Sequence, residues 1–132
     1  MASMTVEVVS PERLLFSGEA TMVITRTQGG GEIAFLPGHA PFLGALSENH
    51  TRIFLVDGST VDLAVHAGFV EVSNSKVSIL SDVAELGPDI DVERARTALS
   101  RAEERMRHDA DVEATAALNR ATARLRAAGQ TV

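Results

Sequence analysis

The distribution of glycine and proline splits this chain of 132 residues at Pro88. All four prolines and nine of the ten glycines lie in the first 88 residues, whereas Asp89 to Ala128 contains neither and carries eleven alanines. Glycine and proline punctuate turns and cost about 1 and about 3 kcal/mol in a helix interior, so the first part is built of short segments and the second is free to form long helices. The boundary predicts one unit over 1–88 and another over 89–132. The total length suits one ordinary domain, or a small domain with an appendage, so the second unit must borrow part of its core.

Within the first unit, short apolar or alternating runs sit between turn signals, the pattern of an antiparallel sandwich. Val6 to Val9 precedes the Ser10-Pro11 turn, and Met22 to Ile24 and Ile33 to Leu36 form further runs. Ile53 to Val56 leads through Asp57-Gly58-Ser59 into Val61, Leu63 and Val65, which reads as a hairpin. Phe69 to Val72 pairs in the same way with Lys76 to Leu80 through Ser73-Asn74-Ser75. About eight to ten strands are expected, enough for two packed sheets.

The second unit reads as an antiparallel helical hairpin. Asp89 or Asp91 can cap a first helix whose apolar stripe is Val92, Ala95, Leu99, Ala102 and Met106. His108-Asp109-Ala110 breaks that pattern. Asp111 can cap a second helix with the stripe Val112, Ala116, Leu118, Thr122 and Leu125, stopped at Gly129. Each helix is roughly 17 residues, or about 25 Å long. Stripes this rich in alanine bury little area against each other, so the hairpin depends on docking to something else and is the expected mobile element.

Charge and composition narrow the possible partners. The first 88 residues hold four Lys/Arg against ten Asp/Glu, the remainder eight against eight, and the net charge is −6. That balance argues against nucleic acid and against direct binding to anionic membranes, where a basic surface supplies most of the affinity. The absence of cysteine excludes disulfides, thiol catalysis and Cys-based zinc sites. No apolar run approaches a membrane span, and a soluble cytoplasmic protein is the default expectation.

Two segments carry a resemblance. Gly31-Glu32-Ile33-Ala34-Phe35-Leu36-Pro37-Gly38-His39-Ala40-Pro41-Phe42-Leu43 is one, and Val65-His66-Ala67-Gly68-Phe69-Val70-Glu71-Val72, continuing through Val77-Ser78-Ile79-Leu80, is the other. Their order and spacing, followed by a terminal helix pair, resemble the epsilon subunit of bacterial F-type ATP synthases from about Thr5 to Ala128. The resemblance implies a non-catalytic subunit of a proton-translocating enzyme, held peripherally at the cytoplasmic face of the bacterial plasma membrane and touching the membrane only through the complex. It implies a ten-stranded sandwich that binds the gamma subunit and the c-ring. Glu32 and His39 are then the c-ring loop, although His39 serves equally well as a cap on a backbone carbonyl.

The resemblance further implies that the hairpin either folds on the sandwich or extends along gamma toward the alpha and beta subunits, where it obstructs ATP hydrolysis. Arg105, Arg107 and Arg126 are the candidate inhibitory contacts; a solvated helix face pairing locally with Glu103 and Glu104 is the plainer reading of any one arginine. No cofactor is required, but ATP is a candidate regulatory ligand. Ile90-Asp91-Val92-Glu93-Arg94-Ala95 and Arg120-Ala121-Thr122-Ala123-Arg124-Leu125 match the nucleotide-site motifs of ATP-binding members. By that likeness Glu85, Ile90, Asp91, Arg94, Ala95, Arg101, Arg120 and Arg124 form the ATP site. Arg120 and Arg124 share a helical face, as do Arg94 and Arg101. The plainer reading makes Asp91 a helix cap and Arg94 a surface residue.

Two other classes compete. An enzyme would use His39, His50 or His66 with a carboxylate as a base, but the sequence contains neither H-E-x-x-H nor G-x-S-x-G. A free-standing ligand-binding sandwich would use the hairpin as a lid or a dimerisation handle.

Overall fold

The computed structural model describes residues 2–132; Met1, which opens the expected first unit, lies outside them. Nine strands are present among these residues: β1 Met4–Val9, β2 Leu14–Thr27, β3 Gly31–Phe35, β4 Phe42–Leu46, β5 Asn49–Leu55, β6 Thr60–Val65, β7 Gly68–Ser73, β8 Lys76–Leu80 and β9 Ala84–Leu86. A 3-10 turn at Gly87–Asp89 leads into α1, Val92–His108, and α2, Val112–Ala127.

The strands form a β-sandwich whose two layers share β2. Its first half pairs antiparallel with β1, from Val9↔Leu14 to Met4↔Ala20, and β1 continues through parallel β8 to β7 and β4. The second half of β2 runs between β3 on one side and β5 on the other, and β5 continues through β6 to β9. The register shifts between Ala20 and Met22, where the strand passes from one layer to the other. An extra residue at such a point increases local bend and twist. The β7–β8 hairpin turns on Asn74 and Ser75 with φ of 51° and 58°, the pair of left-handed residues that a two-residue turn between twisted strands requires.

Between the layers lies one aliphatic core, in which Phe35, Leu46, Ile53, Leu63 and Ile79 are fully buried with Val6 and Val8. Every buried member of this cluster precedes Pro88. The helical hairpin lies on the outside of the second layer, where α2 packs on β5 and β6 as well as on α1. Ala123 and Ala127 close on Ala64 and Ile90 in a small second cluster.

That two-sided packing alters the stripe expected for α2. Val112 is 88% exposed, while the buried residues are Ala114, Ala121, Ala123, Leu125 and Ala127. A helix gripped on two sides buries two rows, so a single-stripe pattern misplaces its edge. On α1 the expected stripe fares better, with Ala95 and Ala102 buried and Val92, Leu99 and Met106 half-buried. Asp91 rather than Asp89 caps α1, accepting from the Arg94 amide at 3.1 Å, and Asp111 caps α2 through the Ala114 amide at 2.7 Å.

Gly87 sets how closely the end of α2 can approach the link to the helices. A Cβ there would stand 2.3 Å from the Ala127 carbonyl oxygen, well inside contact distance. Only a glycine lets the last turn of the helix settle against the strand-to-hairpin link.

Candidate functional site

The residues expected to form a nucleotide site come from three places: the edge strand β9, the link to the helices, and the helices themselves. Glu85 is the middle residue of β9, opposite Ala64 of β6. Asp91 is held in place by its capping bond, and Arg94 and Ala95 follow on the first turn of α1 with Arg101 two turns further on. Arg124 projects from α2. Glu85, Asp91, Arg94, Ala95, Arg101 and Arg124 line a single cleft of about 690 Å³, a volume typical of small-molecule sites.

Asp89, Thr97 and Ala98 complete its wall. Thr97 and Ala98 were legible in principle, because they stand three and four residues after Arg94 and thus on the same helical face. The other two residues of the expected set lie elsewhere. Ile90 is buried in the small cluster against Ala64. The Arg120 guanidinium donates to Glu113 Oε1 at 2.8 Å, one helical turn pair back along α2.

The cleft joins three carboxylates, Glu85, Asp89 and Asp91, to three guanidiniums, Arg94, Arg101 and Arg124. Of these, only Glu85 and Arg124 form an ion pair among the described residues, with Arg124 Nε 2.6 Å from Glu85 Oε1. Arg94 and Arg101 make no ion pair among them and remain available to an incoming anion. Guanidiniums meet phosphate oxygens in bidentate fashion, so cations presented from two helices suit an extended polyanion.

Behind Glu85 stands a histidine that the motif reading did not place in the site. The His66 side chain is 3% exposed; its Nε2 is 3.0 Å from the same Glu85 Oε1, and its Nδ1 is 3.2 Å from Glu48 Oε2. Arg124, Glu85, His66 and Glu48 therefore form a continuous chain of alternating groups from α2 into the sandwich. Burial acts to raise the Glu85 carboxyl, but the hydrogen bonds from Arg124 and then His66 outweigh it and hold the group below the usual carboxylate range.

The c-ring candidates stand apart. Glu32 is on β3 opposite Arg26 and lines a second cleft, of about 450 Å³, with Arg26, Arg52 and Arg126 between the sheet and α2. His39 lies past the other end of β3. Its ring packs edge-on against Phe35 at 4.9 Å, and its Nδ1 is 2.7 Å from the Ala40 carbonyl oxygen, the capping arrangement weighed above. Around the hairpin tip, Arg105 pairs with Asp111 at 3.0 Å, and Arg107 pairs with Glu104, which also meets His108. Arg105, Arg107 and Arg126 are all exposed.

Elsewhere, His50 pairs with Asp62 at 2.6 Å, and Asp62 also accepts from Arg52 at 3.3 Å. Among the described residues, no group of three or more His, Asp or Glu is arranged to hold a metal, and no helix is long and apolar enough to cross a membrane.

Comparison with known proteins places these features in a wider set. The beta-sandwich domain of the ATP synthase delta/epsilon chain matches residues 3–87, and the long alpha-helix domain of the same family matches residues 89–129. The ATP synthase epsilon chain of Streptomyces griseus is 45% identical over 126 residues, covering 96% of this chain and 95% of that one. That of Brevibacillus brevis is 49% identical over 106 residues, covering 80% of each. Among solved structures, a chain of the Euglena gracilis mitochondrial ATP synthase (OSCP, F1 and c-ring) superposes with a TM-score of 0.82 at 20% identity. That match covers 98% of this chain and 83% of the other, a likeness of fold.

Proposed function

The chain belongs to the ATP synthase delta/epsilon family, and from that premise we propose that it is the epsilon subunit of a bacterial F-type ATP synthase whose docked hairpin is held by ATP. In this reading residues 1–88 join the gamma subunit to the c-ring, and residues 89–132 regulate. The sandwich needs no catalytic group of its own. Its work is to carry rotation and to present a platform on which the hairpin lies or from which it departs.

The observation that carries the regulatory part is the composition of the larger cleft. Its wall comes from β9, from the link, from α1 and from α2, so it exists only while the hairpin is docked. A ligand that spans Glu85, Arg94, Arg101 and Arg124 binds that state alone. At 100 times its dissociation constant it favours docking by about 2.7 kcal/mol. The base and sugar fall to Glu85 and Asp91, and the phosphates to the arginines.

With the ligand gone, the hairpin extends along gamma toward the alpha and beta subunits and obstructs hydrolysis. Arg105, Arg107 and Arg126 then exchange their present surroundings for acidic segments of the catalytic ring; exposed ion pairs of the Arg105–Asp111 kind are worth little and are readily given up. The c-ring contact falls to the Pro37–Pro41 loop and His39. Glu32, at the other end of β3, belongs by position to the hairpin side of the platform.

Calorimetric titration of ATP into the isolated chain tests the ligand, with saturable binding expected and its loss expected in Arg94→Gln. The regulatory half is tested by reconstituting full-length chain, and chain ended after Pro88, with the catalytic complex. Inhibition of hydrolysis by the full-length form alone, relieved by millimolar ATP, is expected. Equal hydrolysis with the two forms would remove the regulatory reading.

A further inference from the structure

Arg124 faces a conflict in the docked state. It is one of the three guanidiniums of the cleft, yet its Nε is already committed to Glu85 Oε1 at 2.6 Å. Its Nη groups are open to other acceptors, but a side-on, bidentate grip on a phosphate uses the Nε–H together with one Nη and so requires it to loosen that pair. A carboxylate that is two-thirds buried and stripped of its partner is costly, and that cost would ordinarily keep the arginine where it is.

The structure supplies a substitute donor. His66 Nε2 lies 3.0 Å from the same oxygen, Glu85 Oε1, that accepts from Arg124. The ring is almost wholly buried, at 3% exposure, and is held from behind by Glu48 through Nδ1 at 3.2 Å. It cannot swing away into solvent when Arg124 leaves. An imidazole that carries a proton on Nε2 donates through it to the carboxylate oxygen it faces.

We infer that His66 is a positioning residue of the nucleotide cleft: anchored by Glu48, it keeps Glu85 partnered and so allows Arg124 to pass from Glu85 to the phosphates of a nucleoside triphosphate. The inference rests on the proposed ATP reading and adds to it an element that lies outside the ligand's reach, in the sandwich itself. It makes ATP affinity depend on a buried histidine that touches no part of the nucleotide. Glu85 Oε2 remains free to accept from the ligand while Oε1 is held by His66.

The test uses the full chain and two probes, ATP and inorganic tripolyphosphate, titrated calorimetrically into wild type, His66→Leu, His66→Gln and the same His66 variants in an Arg124→Gln background. Amide exchange of α2 without ligand is followed in parallel. The expected result is a loss on the order of tenfold in affinity for both probes in His66→Leu, the scale of one hydrogen bond to a charged group. Recovery of most of that loss is expected in His66→Gln, whose amide still donates to Glu85. No further effect of either substitution is expected once Arg124 is gone.

Wild-type affinity in His66→Leu with α2 still protected overturns the inference and leaves the ATP reading intact. A loss of affinity that persists undiminished in the Arg124→Gln background, or that tracks loss of α2 protection in both His66 variants, overturns it in favour of a purely structural role. Failure of wild type to bind either probe overturns the ATP reading and the inference together.

Discussion

Glu85 shows how much depends on single side chains in a cleft with few contacts. Its carboxyl is held below the ordinary value of about 4.3 although burial pushes the other way, because Arg124 and His66 both donate to it. A group depressed on folding contributes stability that is complete above its unfolded pKa and is lost as the pH falls through the lower folded value. Asp111, lowered by the Ala114 amide and next by Arg105, acts in the same sense at the far end of α2. Acidification from about pH 5 toward pH 3 should therefore expose α2 amides to exchange before those of β1 or β7, and Glu85→Gln should flatten part of that dependence. Asp91 offers a second check. Asp91→Ala should cost about 1 kcal/mol in urea unfolding through loss of the α1 cap, while Asp91→Ser, which can still accept from the Arg94 amide, should cost only a few tenths; only the cap, and not a ligand contact, explains that difference in the absence of ATP. Caps of this kind are readable in sequence because donor and acceptor stand three residues apart. The His66 partners are not, since Glu48 and Glu85 lie 18 and 19 residues away and nothing local marks them.

At the scale of elements, the hairpins at Asp57-Gly58-Ser59 and Asn74-Ser75 and the two helices follow directly from turn chemistry and periodicity. β2 does not. Only Met22 to Ile24 stood out in the sequence, whereas the strand runs over Leu14–Thr27. Its inward face changes where it crosses from one layer to the other, so no single alternation spans it, and a period-2 reading sees only the cleanest stretch. β5 likewise begins at Asn49, four residues before its apolar run, because Asn49 and Thr51 are buried and satisfy each other at 2.7 Å with Thr25 alongside. A buried polar cluster looks like a loop until its partners are known. The docking of α2 depends on a further feature that composition alone does not reveal, the close approach of Gly87 to the Ala127 carbonyl. Gly87→Ala should displace the last turn of α2 and strip exchange protection from Ala123 to Ala127 while leaving the thermal midpoint of the sandwich nearly unchanged. In the reconstituted enzyme the same variant should inhibit hydrolysis more strongly and require more ATP for relief. Leu125→Ala, which empties a fully buried site on the same helix, should act in the same direction, with a cost of about 2–5 kcal/mol if the site cannot collapse.

For the whole molecule, the asymmetry between the two cores decides what can move. The sandwich keeps all of its buried aliphatic core within residues before Pro88, while the buried apolar seam of the hairpin against it is small, with Ala123 and Ala127 closing on Ala64 and Ile90. A chain ended after Pro88 should therefore fold on its own, with cooperative thermal unfolding and strand-type circular dichroism; a molten fragment would mean that the helices contribute to the sandwich core as well. A segment of forty residues without glycine or proline and with small side chains can form helices but cannot build a core of its own. What composition did not convey is the way the layers are joined. Because one uninterrupted strand, Leu14–Thr27, is hydrogen-bonded into both layers, the sheets cannot slide over one another without shearing ladders along much of its length at once, a far stiffer response than peeling pairs one by one. A torque applied at one end of such a block emerges at the other with little wound up between, which is the mechanical property a transmission part most needs.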